Sequence, residues 1–172
     1  EHEHDAGATG PQQKNSFEVS AAFLGQLKPL VSRYSAIHEA LSGDDAPAAR
    51  ERAGEFAKAL ENVDMTLLDG PAHMAWMDSA KTLRRAATKV GEEEEIAAQR
   101  EAFATLSAEM LEVAERFGPL AENELYVLQC PMAFGGKGAR WLQTNKETRN
   151  PYYGDAMLGC GDVVETLGGE TH

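Results

Sequence analysis

Apolar residues recur every three or four positions through most of the chain, and that spacing predicts four helices. Leu27, Leu30, Tyr34, Ile37 and Leu41 share one face of a first helix that ends at Gly43. Pro29 either starts this helix or kinks it, because proline removes a backbone donor and clashes with the preceding turn. Asp45 followed by Pro47 reads as an N-cap with a first-turn proline, and Ala49, Ala53, Phe56, Leu60 and Val63 carry a second stripe. A third helix starts at Asp69-Gly70-Pro71, runs through His73, Met77, Ala80, Leu83, Ala87 and Val90, and is closed by Gly91. The acidic run Glu92 to Glu95 suits the positive end of a helix dipole. From there Ile96, Phe103, Leu106, Met110, Val113 and Phe117 extend a fourth helix to Gly118-Pro119.

Amphipathic helices of this length, joined by short turns, bury their stripes best as an up-and-down antiparallel bundle. The fold expected is therefore all-α: a four-helix bundle over residues 16–118, with a glycine-rich, loop-rich C-terminal lobe over 119–172 packed against it. Eight of the sixteen glycines follow Pro119, which argues against long regular elements there. Tyr126, Trp141, Tyr152, Tyr153 and both cysteines also fall in the lobe, so it has material for packing and for chemistry. Tyr126 to Gln129 reads as a short extended piece, Ala139 to Gln143 as a helical turn and Asn150-Pro151 as a turn starter. Trp141, Tyr152 and Tyr153 are expected to anchor the lobe onto the helices. Residues 1–15 lack packing periodicity and read as a linker or tail, whose His2 and His4 are more often solvated than metal-bound in such a setting.

Charge narrows the partners. With 16 Lys+Arg against 28 Asp+Glu the formal net charge is −12, and the one basic pair is Arg84-Arg85, a composition that repels phosphate backbones and anionic lipid. Nucleic acid is excluded as an expected partner. No run approaches the roughly 20 apolar residues of a membrane span. The chain begins with Glu1 rather than Met, which leaves room for a leader or a preceding domain.

The remaining chemistry is sulfur. Cys130-Pro131-Met132 places a thiol and a thioether on one side of an extended chain, since residues i and i+2 project together. Met157 and Cys160, at i and i+3, share a face if they span one helical turn. Thiolate with thioether is a soft donor set that favours copper(I) or silver(I), whereas zinc rarely accepts methionine. His38, beside the first apolar stripe, and His73, four residues before Met77, are candidate helpers, though a helix histidine more often makes one ordinary hydrogen bond. Met74 and Met77, flanking Trp76, read as core rather than as a metal track. Two other readings of the cysteines stay open. A Cys130–Cys160 disulfide would close a loop of about 30 residues, worth roughly 3–4 kcal/mol in the chain-entropy model. Both could also be buried free thiols with gap-filling methionines around them.

Enzymatic motifs are missing: there is no G-x-S-x-G elbow, no H-E-x-x-H pair and no C-x-x-C-H haem site. Gly135-Gly136-Lys137-Gly138 lacks the Lys-Ser/Thr ending of a phosphate loop. A cysteine hydrolase or redox enzyme needs a base beside the sulfur, and no histidine stands near either cysteine in sequence.

The runs Cys130-Pro-Met-Ala-Phe-Gly-Gly-Lys-Gly-Ala-Arg-Trp-Leu-Gln143 and Asn150-Pro-Tyr-Tyr-Gly-Asp-Ala-Met-Leu-Gly-Cys-Gly161 resemble a family of uncharacterised bacterial domains. Members occur alone in exported proteins and as the C-terminal module of periplasmic adaptor (membrane fusion) subunits of copper/silver-type efflux pumps. Tyr34-Ser-Ala-Ile-His-Glu-Ala-Leu41 with Asp44-Asp45 is similar to that family's opening helix, so the likeness extends over about Phe17 to Thr166. Gln129 departs from members that place a histidine or another residue before the C-P-M. The resemblance implies a periplasmic or exported location and an association with heavy-metal resistance. The leading expectation is a non-enzymatic accessory module that binds copper(I) or silver(I) through Cys130, Met132, Met157 and Cys160, with His38 or His73 assisting. The alternative is a disulfide-stapled interaction module that docks on an efflux adaptor or pump.

Overall fold

The structure, a computed structural model, describes residues 16–168. The expected tail over 1–15, with His2 and His4, lies outside the described residues.

Four long helices form the bundle: α1 (Ala21–Ser42), α2 (Ala46–Glu61), α3 (Gly70–Glu92) and α4 (Ile96–Phe117). Their ends follow from local chemistry. The Ser20 hydroxyl accepts from the Phe23 amide at the start of α1, and the Asp45 carboxylate accepts from the Ala48 amide at the start of α2. Pro29 is carried inside α1, and Gly43 caps that helix. α3 runs one residue beyond Gly91, and α4 ends at Gly118 as its spacing predicts. The stripes are the core: Phe23, Ile37, Leu41, Phe56, Leu83, Val90, Phe103 and Leu106 have no exposed surface. Trp76 is buried as expected, whereas Met74 and Met77 are 63% and 45% exposed, so the reading of those two methionines as core is corrected. They sit on the solvent side of α3, rotated away from the Trp76, Ala80 and Leu83 face.

The all-α expectation is overturned by a three-stranded antiparallel sheet, which makes the fold α+β. β1 (Leu125–Cys130) is central and is flanked by β2 (Ala139–Gln143) and β3 (Asp162–Leu167). Tyr126 to Gln129 is extended as expected, but Ala139 to Gln143 is a strand instead of a helical turn. Its Ala-Arg-Trp-Leu-Gln sequence fits a helix equally well. Pairing decides the matter, because every residue of β2 faces a partner in β1, from Tyr126 opposite Gln143 to Cys130 opposite Ala139. β3 pairs with the other edge of β1, with a register shift at Val127/Leu128.

Between β1 and β2 the chain makes a single turn, α5 (Ala133–Gly136), and then Lys137-Gly138. Phe134, Gly135, Gly136 and Gly138 there take φ of 53°, 69°, 89° and 78°. Three of those four left-handed positions are glycine, which has no Cβ to oppose them. The sheet lies on α4, and its contact with the bundle runs through aromatic rings. Tyr152 meets Phe103 of α4, Trp141 of β2 and Phe134 with centroids at 6.2, 5.7 and 5.3 Å.

Candidate functional site

β1 ends in Cys130, and β3 begins two residues after Cys160. Because Gln129 pairs with Asp162, the two cysteine segments run side by side, and the Sγ atoms stand 3.7 Å apart. Both thiols are free. Cys130 is fully buried and Cys160 is partly exposed. Gly161 makes the approach feasible. It takes a φ of 135°, and a Cβ there would lie 2.7 Å from the Trp141 indole and 3.2 Å from the Gln129 carbonyl oxygen.

Asn150, with no exposed surface, holds the Cys160 segment in place. Its Nδ2 donates to the Cys160 carbonyl over 2.7 Å, its amide donates to the Leu158 carbonyl over 2.8 Å, and its Oδ1 accepts from the Tyr152 amide over 2.8 Å. The Asn150-Pro151 turn also reaches the first sulfur segment, since the Tyr153 hydroxyl donates to the Met132 carbonyl over 2.7 Å. Met157 closes a 3-10 turn over Gly154–Met157, and its carbonyl accepts from the Cys160 amide over 3.0 Å, so the i, i+3 relationship read from sequence is a real turn. Met132 and Met157 are 56% and 38% exposed, and Met132 has helical backbone angles (φ −86°, ψ −14°) in place of the extended ones expected for Cys130-Pro131-Met132.

The two histidines separate. His38 is buried, and its Nε2 donates to the Arg149 carbonyl over 2.7 Å. It therefore abuts the residue that precedes Asn150 and supports the site from behind. Burial pushes its pKa below the ordinary histidine value. His73 lies at the other end of the bundle. Three residues on, Trp76 packs edge-on against Phe23 and Phe117 at 5.4 and 5.9 Å, whereas Tyr152, two residues after the Asn150 that holds Cys160, meets α4 at Phe103. Phe103 and Phe117 are fourteen residues apart on α4, about 21 Å of helix at 1.5 Å per residue. The structure thus brings Cys130 and Cys160 together, leaves Met132 and Met157 as exposed neighbours of them in the chain, places His38 against the residue before Asn150 and leaves His73 remote.

The Cys160 thiol is pushed above its ordinary pKa, first by its hydrogen bond with Cys130, then by burial and by the negative charges of a Cys130 thiolate and Asp162. The Cys160 thiol therefore holds its proton more firmly than a free cysteine and gives it up when it engages an electrophile or a metal. Among the described residues, no three His, Cys, Asp or Glu side chains gather into a metal-binding group.

Sequence reasoning passed over the clamp that attaches this lobe to the bundle. Arg100 of α4 donates to the carbonyls of Pro151 and Leu41 over 2.8 and 2.9 Å and pairs with Asp44 over 2.8 Å. The other Asp44 oxygen accepts from the Asp155 amide over 2.9 Å. That amide and Arg100 hold the Asp44 carboxyl below its usual range. Gly154 fits beneath this clamp at a φ of 59°, where a Cβ would run into the Asp44 carboxylate and the Arg100 guanidinium. Asn150 carried a legible signal, a turn starter before proline. Arg100 carried none, and Asp44, noted only within the resemblance of the opening helix, gave no sign of its partner, because nothing local links residues 56 apart.

Among the described residues, no helix is long and apolar enough to cross a membrane. No curated protein and no solved structure matches the chain. Residues 30–122 match a family described as a protein of unknown function (DUF3347), a stretch that takes in most of α1, all of α2 to α4 and ends just before β1. With more than half of its 172 residues matched, the chain belongs to the DUF3347 family.

Proposed function

We propose that the protein is a non-enzymatic carrier of a soft monovalent ion, copper(I) or silver(I), which it takes up between Cys130 and Cys160. The observation that carries this reading is the 3.7 Å separation of the two thiols. By the metal–thiolate length of about 2.3 Å known for zinc, two thiolates on one ion at a near-tetrahedral angle stand about this far apart, and a two-coordinate soft ion would draw them wider. The donors are therefore set for chelation before the ion arrives, and little ordering cost remains. Met132 and Met157, two and three residues from the cysteines in the chain and both exposed, are available as thioether donors, which soft ions accept and hard cations do not. Partial exposure of Cys160 gives an ion access, and the burial of Cys130 shields it from water once bound.

The resemblance of the Cys130 to Gln143 and Asn150 to Gly161 runs to modules of copper/silver efflux adaptors supports a periplasmic or exported location. It also supports an accessory role beside an adaptor or pump, in which the ion is cargo that is captured and passed on. Titration of the reduced protein with copper(I) against a competing chelator tests the reading. Cys130→Ser/Cys160→Ser is expected to bind at least about 100-fold more weakly, and Met132→Leu/Met157→Leu about tenfold more weakly. A double cysteine variant that binds as tightly as the parent overturns it.

A further inference from the structure

Each cysteine differs from the other in one respect that metal binding does not require: Cys160 meets solvent and Cys130 does not. A reagent arriving from solvent therefore meets Cys160 before Cys130, and the second sulfur stands 3.7 Å away. This is the arrangement of an attacking thiol with a resolving thiol. The surroundings favour closure of a bond between them. The two segments are already neighbours on β1 and the lead-in to β3, and Asn150 fixes the Cys160 main chain by bonds to Cys160 and Leu158. A disulfide needs its sulfurs about 2.0 Å apart. The sulfurs have about 1.7 Å to close, and Gly159, with open space around it, gives the backbone room to adjust.

We propose that Cys160 and Cys130 form a thiol–disulfide exchange pair, in which Cys160 takes up a small disulfide such as oxidised glutathione and Cys130 resolves it, closing an intramolecular bridge. Cys160 loses its proton to solvent, and its thiolate attacks one sulfur of the small disulfide. A mixed disulfide forms, and the first small thiolate leaves and is protonated. Cys130 then gives up its proton, its thiolate attacks Cys160 Sγ, and the second small thiolate leaves and takes up a proton. The protein dithiol is oxidised by two electrons, one small disulfide is reduced to two thiols, and no other oxidant enters. This deepens the soft-ion reading, because both sulfurs are consumed when the bridge closes and the ion site exists in the reduced form only. The exchange chemistry itself stands whether or not an ion binds.

The test is intact-mass analysis of the reduced, folded chain after incubation with oxidised glutathione. The wild-type protein is expected to lose two hydrogens without retaining an adduct. Cys130→Ala is expected to accumulate one glutathione on Cys160, and Cys160→Ala to react at least about tenfold more slowly because Cys130 is shielded. A wild-type protein that stays fully reduced, or that ends as a stable adduct, overturns the proposal. So does a Cys160→Ala variant that reacts as fast as Cys130→Ala. The wild-type arm decides even if a variant fails to fold. Silver titration of the reduced chain, run alongside, bears on the soft-ion reading alone, so the two failures are distinguishable.

Discussion

His38 donates from Nε2 to the carbonyl oxygen of Arg149, 111 residues away, and Ser42 adds a second, longer hydrogen bond to that carbonyl at 3.3 Å. The end of α1 thereby holds the peptide that leads into Asn150, and Asn150 in turn holds Cys160. A histidine that reads from sequence as a candidate ligand is thus placed as a support for the sulfur site, in line with its buried surroundings.

The burial of His38 has a consequence for pH. Its folded-state pKa lies below the unfolded value of 6.5, so the unfolded chain binds the proton more readily. The stabilisation is complete above pH 6.5 and is lost as pH falls through that value toward the lowered one. The hydrogen bond to the Arg149 carbonyl and the charge of Glu39 oppose the shift, and the Arg149 charge adds to it. The urea midpoint of the wild-type protein is expected to drop between about pH 7 and pH 5. His38→Gln, which has no charge to gain, is expected to show a flatter profile over that interval. Equal slopes in the two proteins would mean that the His38 proton is not linked to folding.

Tyr34 provides an independent measure of how firmly bundle and sheet are joined. Its hydroxyl is buried, lies 2.7 Å from the Ser107 hydroxyl of α4 and accepts from the Leu142 amide of β2 over 3.1 Å. Burial drives its pKa far above the ordinary tyrosine value, so it stays neutral at any working pH. Tyr34→Phe keeps the ring stacked on Phe103, with centroids at 5.0 Å, but leaves the Leu142 amide without that acceptor. A loss of about 1–3 kcal/mol is expected from chemical denaturation. Tyr34→Phe/Ser107→Ala should cost less than the sum of the two single changes, because both remove one shared network.

The bundle was legible because its signal is repeated. Leu27, Leu30, Tyr34, Ile37 and Leu41 state the same face five times, and all are buried. Capping chemistry placed the boundary at Asp45 for the same reason, since an acceptor before proline has few other uses. The sheet was not legible in full. Every residue of β3 except Leu167 is well exposed, so the strand has no apolar alternation to read, and what makes it a strand is the free edge of β1. β2 is ambiguous on propensity and is settled by pairing across the hairpin turn. At the candidate site, the nearness of Cys130 to Cys160 rests on that same sheet register, which local spacing does not encode. His73 and Met77 share a helix face as their i, i+4 spacing predicts, but spacing within a helix says nothing about which end of the bundle the lobe covers.

The Cys160 thiol offers a check on the site that requires no metal. Its hydrogen bond with Cys130 is the largest cause of its raised pKa, and the two remaining contributors are burial and nearby negative charge, from a Cys130 thiolate and from Asp162. In the wild-type protein the rate of Cys160 alkylation by iodoacetamide should therefore rise with pH along a curve whose midpoint lies above that of an unperturbed thiol. Cys130→Ala removes both the hydrogen bond and the Cys130 charge, so the midpoint should move down, toward the ordinary thiol value. Asp162→Asn should move it in the same direction by a smaller amount. The order matters, because a larger shift from Asp162→Asn would make a carboxylate, and not the partner sulfur, the group that governs Cys160. The same proton controls ion uptake: each thiol proton displaced by silver(I) makes the conditional affinity rise about tenfold per pH unit below the thiol pKa. A reduced protein whose silver affinity is flat between pH 6 and 8 would be binding the ion through thioethers alone.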